Sequence, residues 1–146
     1  MAIVEKCARF HIVCAERLVE EDSHNFAGKL NDENLTKCLQ TLKHMYEDLG
    51  LEGVESPCEP EFRAYEILMN LNDGDTLRGV QALERRVRET EEIRFALNVF
   101  TAINSDNYIK FFRLARRATL LQGCILLRYF YQVGNQEKRA FMLYNI

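Results

Sequence analysis

Hydrophobic residues recur every three or four positions along most of this chain, a spacing typical of amphipathic helices. The clearest stretch runs from Glu92 to Leu114 and reads as two helices joined by a turn at 104–106. The first helix places one apolar face together: Ile93, Ala96, Leu97, Phe100 and Ile103. The second presents Tyr108, Phe111, Phe112 and Ala115 on one side and Lys110, Arg113 and Arg117 on the other. We therefore expect an aromatic face that packs and a cationic face that stays exposed.

The same periodicity, with capping and turn residues, predicts about eight helices. Asn31 or Asp32 is the expected cap of the second helix, Gly50 its stop, and Thr90 the cap of the fifth. The expected ranges are about 2–20, 32–50, 60–71, 76–87, 91–103, 107–117, 119–132 and 136–145. No stretch alternates as a strand does, and short connectors favour antiparallel neighbours. The pattern predicts an all-α fold, either a bundle or a stack of helical hairpins.

Composition places this pattern in one ordered domain. The chain has 146 residues, of which 47% are hydrophobic, enough for a sizeable core. It contains no apolar run of about 18 residues, so no transmembrane helix is expected. Five cysteines without paired spacing indicate reduced thiols and an intracellular protein.

Charge is distributed unevenly along the chain. Residues 107–146 carry seven Lys or Arg and a single acidic residue, Glu137, whereas residues 1–106 carry 21 acidic and 12 basic residues. Such asymmetry indicates a basic surface for nucleic acid or an acidic partner, although both sets can also be solvated helix faces. Because the nearby aromatics fall on apolar faces, phosphate contact is favoured over base stacking. The candidate binding residues are Lys110, Arg113, Arg116, Arg117, Lys138 and Arg139.

Catalytic and cofactor motifs are absent from the sequence. It has no phosphate-binding glycine loop, no Gly-x-Ser-x-Gly and no His-Glu-x-x-His, so we expect neither an enzyme nor a cofactor. Cys7, His11 and Cys14 share one face of the first predicted helix, and a zinc site would need a fourth ligand. Candidates for that ligand are Cys38, His24 and His44. The spacing matches no standard zinc motif, and free cysteine is common in cores, so packing is the preferred interpretation of this cluster.

Short motifs in a fixed order resemble the helical core of the suppressor-of-actin/GANP family of nuclear mRNA-export scaffolds. They extend through nearly the whole chain: Lys6-Cys7-Ala8-Arg9-Phe10-His11-Ile12, Asn34-Leu35-Thr36-Lys37-Cys38-Leu39-Gln40, Glu61-Phe62-Arg63-Ala64-Tyr65 with Ile67-Leu68, Phe95-Ala96, Asn107-Tyr108-Ile109 with Phe111-Phe112, and Arg139-Ala140. A departure is Phe141, where the family often has leucine.

The resemblance implies stacked antiparallel helical hairpins, an α-solenoid similar to tetratricopeptide and PCI-domain proteins. It implies a scaffold in the second transcription-and-export (TREX-type) complex, which supports mRNA export at the nuclear pore. The implied partners are a PCI-domain subunit, a small acidic subunit and RNA, with no membrane or small-molecule substrate. In the family a winged-helix segment follows this region, so we expect residues 1–146 to be a single-domain fragment of a larger scaffold. The alternatives are a structural spacer or a nucleic-acid-binding domain outside mRNA export.

Overall fold

A computed structural model describes residues 1–132 of the chain, and within this part all regular structure is helical. The all-α prediction is confirmed. The helices are α1 (Ala2–Arg17), α2 (Gly28–Leu51), α3 (Glu59–Met69), α4 (Asp75–Gln81), α5 (Arg85–Arg88), α6 (Glu91–Asn104), α7 (Tyr108–Arg117) and α8 (Leu120–Gln132). The predicted helix over 136–145, with Lys138 and Arg139, lies outside the described residues.

The two ends of α2 differ from their prediction. The helix begins at Gly28, so the cap expected at Asn31 or Asp32 is wrong. Asn31 is buried within the helix, where its amide Nδ2 donates to the carbonyl of His11 at 3.0 Å. At the other end the chain leaves α2 at Gly53, which has φ +72°, rather than at Gly50. Glycine reaches this left-handed conformation without the steric cost that a Cβ brings.

The predicted fourth helix over 76–87 is broken into α4 and the single turn α5. Ala82 caps α4, and Glu84 adopts an extended conformation with ψ 145°. The bend lets the buried side chain of Val87 enter the core. It also lets Nη2 of Arg86 reach a carboxylate oxygen of Glu59, 3.1 Å away on α3. A thin apolar stripe could not have indicated this break, because the contacts that favour it are made with another helix.

Helix α3 lies at the centre of the packing. It contacts α2, α5, α6 and α8, and α1 contacts both α2 and α8. Glu59, at the start of α3, accepts a hydrogen bond from Arg86 of α5, just before α6. The carbonyl of Leu71, just after α3, accepts one from Asn104 at the end of α6. Helices α3 and α6 therefore run in the same direction, because α4 and α5 carry the chain back between them. The arrangement as a stack of antiparallel hairpins stays a prediction.

The segment that follows α3 is fixed by two other helices. The buried backbone N–H of Leu71 donates to Oη of Tyr129 on α8 at 3.1 Å. The carbonyl of Leu71 accepts from Nδ2 of Asn104 on α6 at 3.0 Å. Both polar groups of one buried residue are thus satisfied by side chains from distant parts of the chain. Among the described helices, none has the length and apolar character needed to cross a membrane.

Candidate nucleic-acid interface

The turn between α6 and α7 has a defined hydrogen-bond pattern. The N–H of Asn107 donates to the carbonyl of Ala102 at 2.8 Å, and the N–H of Asp106 donates to that of Ile103 at 3.2 Å. These two bonds form a Schellman motif, which requires a left-handed residue after the helix cap. Asp106 takes this position with φ +54°, a conformation that Asp tolerates better than most residues with a Cβ. The turn predicted at 104–106 is confirmed.

Helix α7 is capped as it leaves this turn. Oδ1 of Asn107 accepts from the backbone N–H of Lys110 at 3.1 Å, which satisfies one of the free donors of the first turn. Beyond the other end of α7, Thr119 and Gln122 bond reciprocally through side chain and backbone at 3.0 and 3.3 Å. This capping box starts α8, and α7 before it has ten residues. The Thr119–Gln122 spacing is a local sequence signal for this boundary, and it is independent of the apolar periodicity from which the helices were predicted.

One face of α7 is apolar and packs on α6. Phe111 is buried, whereas Phe112 and Tyr108 are partly buried. The rings of Phe111 and Phe112 meet edge to face with centroids 5.5 Å apart, a favourable aromatic geometry. The expectation that these aromatics face the core is confirmed for Phe111, and Phe112 packs against the core from a partly buried position. The hydroxyl of Tyr108 donates to the carboxylate of Asp106 at 3.1 Å.

The other face of α7 carries cations. Arg113, Arg116 and Arg117 are exposed, and Lys110 is half-buried. The helix contains no acidic residue. In residues 1–132 no carboxylate lies within ion-pair distance of Lys110, Arg113 or Arg117. Positions 110, 113 and 117 follow helical spacing along one side, so α7 presents a short row of positive charge.

The cysteine and histidine cluster of α1 is dispersed. Cys7 is exposed, Cys14 is buried, and Nδ1 of His11 lies 2.7 Å from Oδ1 of Asn31. Within the described residues no three His, Cys, Asp or Glu side chains are grouped as a metal site requires. Burial raises the pKa of the Cys38 and Cys124 thiols, which disfavours the thiolate that metal binding and nucleophilic chemistry need.

Partly buried polar contacts between α1 and α3 were not foreseen from the sequence. The guanidinium of Arg9 bonds both carboxylate oxygens of Glu61, at 2.6 and 3.2 Å, and lies 5.1 Å from the ring centroid of Phe62. Tyr65 donates to the same carboxylate at 2.8 Å. Hydrogen bonding to Glu61 raises the pKa of Arg9 further above its ordinary value. These contacts orient α1 on α3, and nothing in them presents a reactive group to solvent.

Comparison with known proteins identifies a family that matches this chain. The sequence profile of the SAC3/GANP family matches residues 1–142. The chain is 46% identical to the protein xmas of Drosophila melanogaster over 130 residues, which covers 88% of this chain. It is 32% identical to SAC3 family protein B of Arabidopsis thaliana over 149 residues, or 93% of the chain. It is 29% identical to SAC3 family protein 1 of Schizosaccharomyces pombe over 160 residues, or 96% of the chain.

These relatives are much longer proteins. The chain spans 6% of the fly protein, 9% of the plant protein and 15% of the yeast protein. The matches therefore describe one region, which nearly fills this chain and forms a small part of each relative.

Proposed function

The chain belongs to the SAC3/GANP family, which is generally linked to mRNA export, and from this premise we propose that its helical domain is a non-enzymatic scaffold module of the nuclear transcription-and-export complex. The module supports passage of mRNA through the nuclear pore by holding protein partners and by contacting RNA. The contact with RNA is made by the cationic face of α7, namely Lys110, Arg113, Arg116 and Arg117. Lys138 and Arg139, which lie outside the described residues, are further candidates for RNA contact.

The observation that carries the RNA contact is the charge arrangement of α7. Its cations are presented on a helix that is fixed at both ends, by the Schellman turn with the Asn107 cap and by the capping box of α8. No acidic side chain of α7 competes for them. Phosphate groups bind such surfaces with release of counterions, and the contact carries no sequence information. This suits a scaffold that handles many different messages.

A fluorescence anisotropy titration with labelled single-stranded RNA tests the contact. In the triple variant Lys110→Gln, Arg113→Gln, Arg117→Gln we expect affinity to fall about tenfold or more. We also expect the slope of log K against log salt to become less negative by about 2, since each lost phosphate contact on a single strand contributes about 0.7. The matched control is Lys29→Gln, Lys37→Gln, Arg94→Gln, which removes the same charge from exposed positions on α2 and α6.

Equal loss of affinity in the two triple variants would mean that RNA responds only to net charge, and the α7 interface would be rejected. Unchanged affinity in the α7 variant would reject it as well. Circular dichroism of each variant establishes that the helical content is retained. Because the changed side chains of α7 are exposed or half-buried, we expect the α7 variant to fold normally.

The scaffold role predicts stable protein partners: a PCI-domain subunit and a small acidic subunit of the export complex. Co-expression of this chain with both subunits, followed by affinity purification, tests this part. Recovery of all three in one size-exclusion peak supports the proposal. If the chain elutes alone at every salt concentration, the scaffold role is rejected and the alternative of a structural spacer is favoured.

A further inference from the structure

A groove of about 630 Å³ lies between α3, α4 and the second half of α2. None of these helices contributes to the cationic face of α7. Its floor is apolar, with the buried side chains of Tyr46, Ile67 and Val80. Leu51 lines the same groove and is 89% exposed, although it is a large aliphatic residue. A groove with an apolar floor and an exposed aliphatic residue can bury a side chain of a partner.

The walls of the groove are acidic. Six carboxylates line it, against the two cations Lys43 and Arg63: Glu47, Glu59, Glu66, Asp73, Asp75 and Glu84. Arg86 pairs with Glu59 and Glu84, Arg78 lies 3.8 Å from Asp75, and His44 lies 3.5 Å from Glu47. In the described part of the chain no basic group lies within ion-pair distance of Glu66 or Asp73. The groove therefore retains unneutralised negative charge.

One buried donor in the groove lacks an acceptor. The side chain of Arg63 is 9% exposed, and its closest carboxylate oxygen, on Glu59, is 3.4 Å from Nη2. Its Nε has no hydrogen-bond partner among the described residues, and a buried donor left unpaired is costly. A guanidinium at this position disfavours a bare metal ion in the groove. A ligand that also offers carbonyl oxygens would suit it better.

We propose that this groove docks a basic peptide segment of a partner protein. Lysine or arginine side chains of the peptide meet Glu66, Asp73 and Glu47, and an apolar side chain packs against Leu51. The peptide backbone supplies carbonyl oxygens toward Arg63. Nucleic acid is repelled by the same carboxylates, so this surface and the cationic face of α7 select ligands of opposite charge. The docking is independent of the proposed RNA contact.

The probe is a fluorescein-labelled peptide of repeated Lys-Leu-Arg-Ala, titrated with the full chain and followed by anisotropy. The test variant is Glu47→Gln, Glu66→Gln, Asp73→Asn, which removes three charges and preserves side-chain size. We expect its affinity for the peptide to fall about tenfold, as loss of three exposed charge pairs predicts. The control Glu33→Gln, Glu91→Gln, Glu92→Gln removes equal charge from exposed positions outside the groove, and we expect a change of less than about twofold.

A second pair of variants tests the apolar contact. Leu51→Ala is expected to weaken peptide binding about fivefold through lost burial, whereas Leu120→Ala, at a residue that is 72% exposed and outside the groove, should have no effect. Both positions are exposed enough for the variants to fold. The α7 triple variant should bind the peptide as well as the unchanged chain does, which separates this site from the RNA contact.

Three results would overturn the proposal. One is that the unchanged chain fails to bind the peptide at low salt. Another is an equal loss of affinity in the groove variant and its charge-matched control, which would indicate a general response to net charge. The third is that spermine displaces the peptide at equal charge concentration and that Leu51→Ala leaves the affinity for the peptide unchanged. The groove would then be a site for cations in general.

Discussion

Tyr46 and Tyr65 illustrate how single side chains join distant helices in this domain. Oη of Tyr46 on α2 donates to a buried carboxylate oxygen of Glu5 on α1 at 2.9 Å. Tyr65 on α3 donates to Glu61, which also binds Arg9 of α1. Burial and then hydrogen bonding to the carboxylate raise the pKa of both phenols far above their ordinary value. The neutral phenol is thus part of the folded state.

This arrangement predicts a loss of stability in alkali. Each phenol has a raised pKa in the folded state, so its contribution is present below the unfolded pKa of about 10 and is lost as pH rises above it. Above about pH 10 we expect each tyrosine to lower the free energy of unfolding by about 1.4 kcal/mol per pH unit. Urea denaturation at increasing pH measures this slope.

The comparison that isolates the tyrosines is the variant Tyr46→Phe, Tyr65→Phe. It should be less stable at pH 7, by about 2–4 kcal/mol, because two carboxylates lose donors. Its stability should then fall less steeply above pH 10 than that of the unchanged chain. Cysteine and lysine titrations are common to both proteins and cancel. Equal slopes would show that the two phenols ionise in the folded state as freely as in the unfolded chain.

At the scale of elements, helix ends determine where the cationic face of α7 lies. Helices α2 and α6 both end in Schellman motifs, but one uses Gly53 and the other Asp106. A glycine at this position is the common case, whereas an aspartate is hard to recognise from sequence. The cap of α7, Asn107, follows directly, so one short segment ends one helix and starts the next. The direction of the cationic row depends on this segment.

Removal of the α7 cap should destabilise the domain measurably. Asn107→Ala loses the side-chain acceptor for the N–H of Lys110, and we expect the free energy of unfolding to fall by about 1 kcal/mol. Urea denaturation followed by circular dichroism is the measurement. Asn72→Ala, an exposed loop position with no hydrogen bond to its side chain in the described residues, is the control and should change stability by less than about 0.5 kcal/mol. A similar loss in both variants would contradict the capping role.

The sequence predicted helices well where the apolar stripe was broad, as in α1, α3, α6 and α7. It failed where a partner distant in sequence decided the outcome. Asn31 has the residue type of a helix cap, but its side-chain amide forms hydrogen bonds with His11, 20 residues away. The break at 82–84 depends on Arg86 reaching Glu59, 27 residues earlier. The cationic face of α7 followed from spacing alone, whereas the acidic groove combines residues from three helices and the turns that join them, and could not be read from any one segment.

For the whole molecule, the packing links the first described helix to the last. Helix α1 contacts α8, α8 contacts α3, and α3 contacts α6. Helices α3, α6 and α8 meet at Leu71, whose backbone N–H donates to Tyr129 and whose carbonyl accepts from Asn104. A domain with such contacts between distant segments should unfold in one cooperative transition. The surfaces of α7 and of the groove then belong to one structural unit.

Tyr129→Phe tests this linkage. It leaves the buried N–H of Leu71 without its acceptor, and we expect a loss of about 1–3 kcal/mol in the free energy of unfolding. Near-ultraviolet circular dichroism reports tyrosine packing and far-ultraviolet circular dichroism reports helix content. The two should give coincident transitions in the unchanged chain and in the variant. Separate transitions would show that α8 detaches before the remaining helices unfold.

The central place of α3 has a consequence for how sequences of this family diverge. A short helix that packs against several others cannot accept a change of side-chain volume unless its neighbours change with it. The cationic side of α7 is largely exposed, so its charges can be exchanged one at a time. Over evolutionary time we expect substitutions to accumulate slowly in α3 and quickly on the outer positions of α7, which would let related proteins adjust their ligands while the architecture persists.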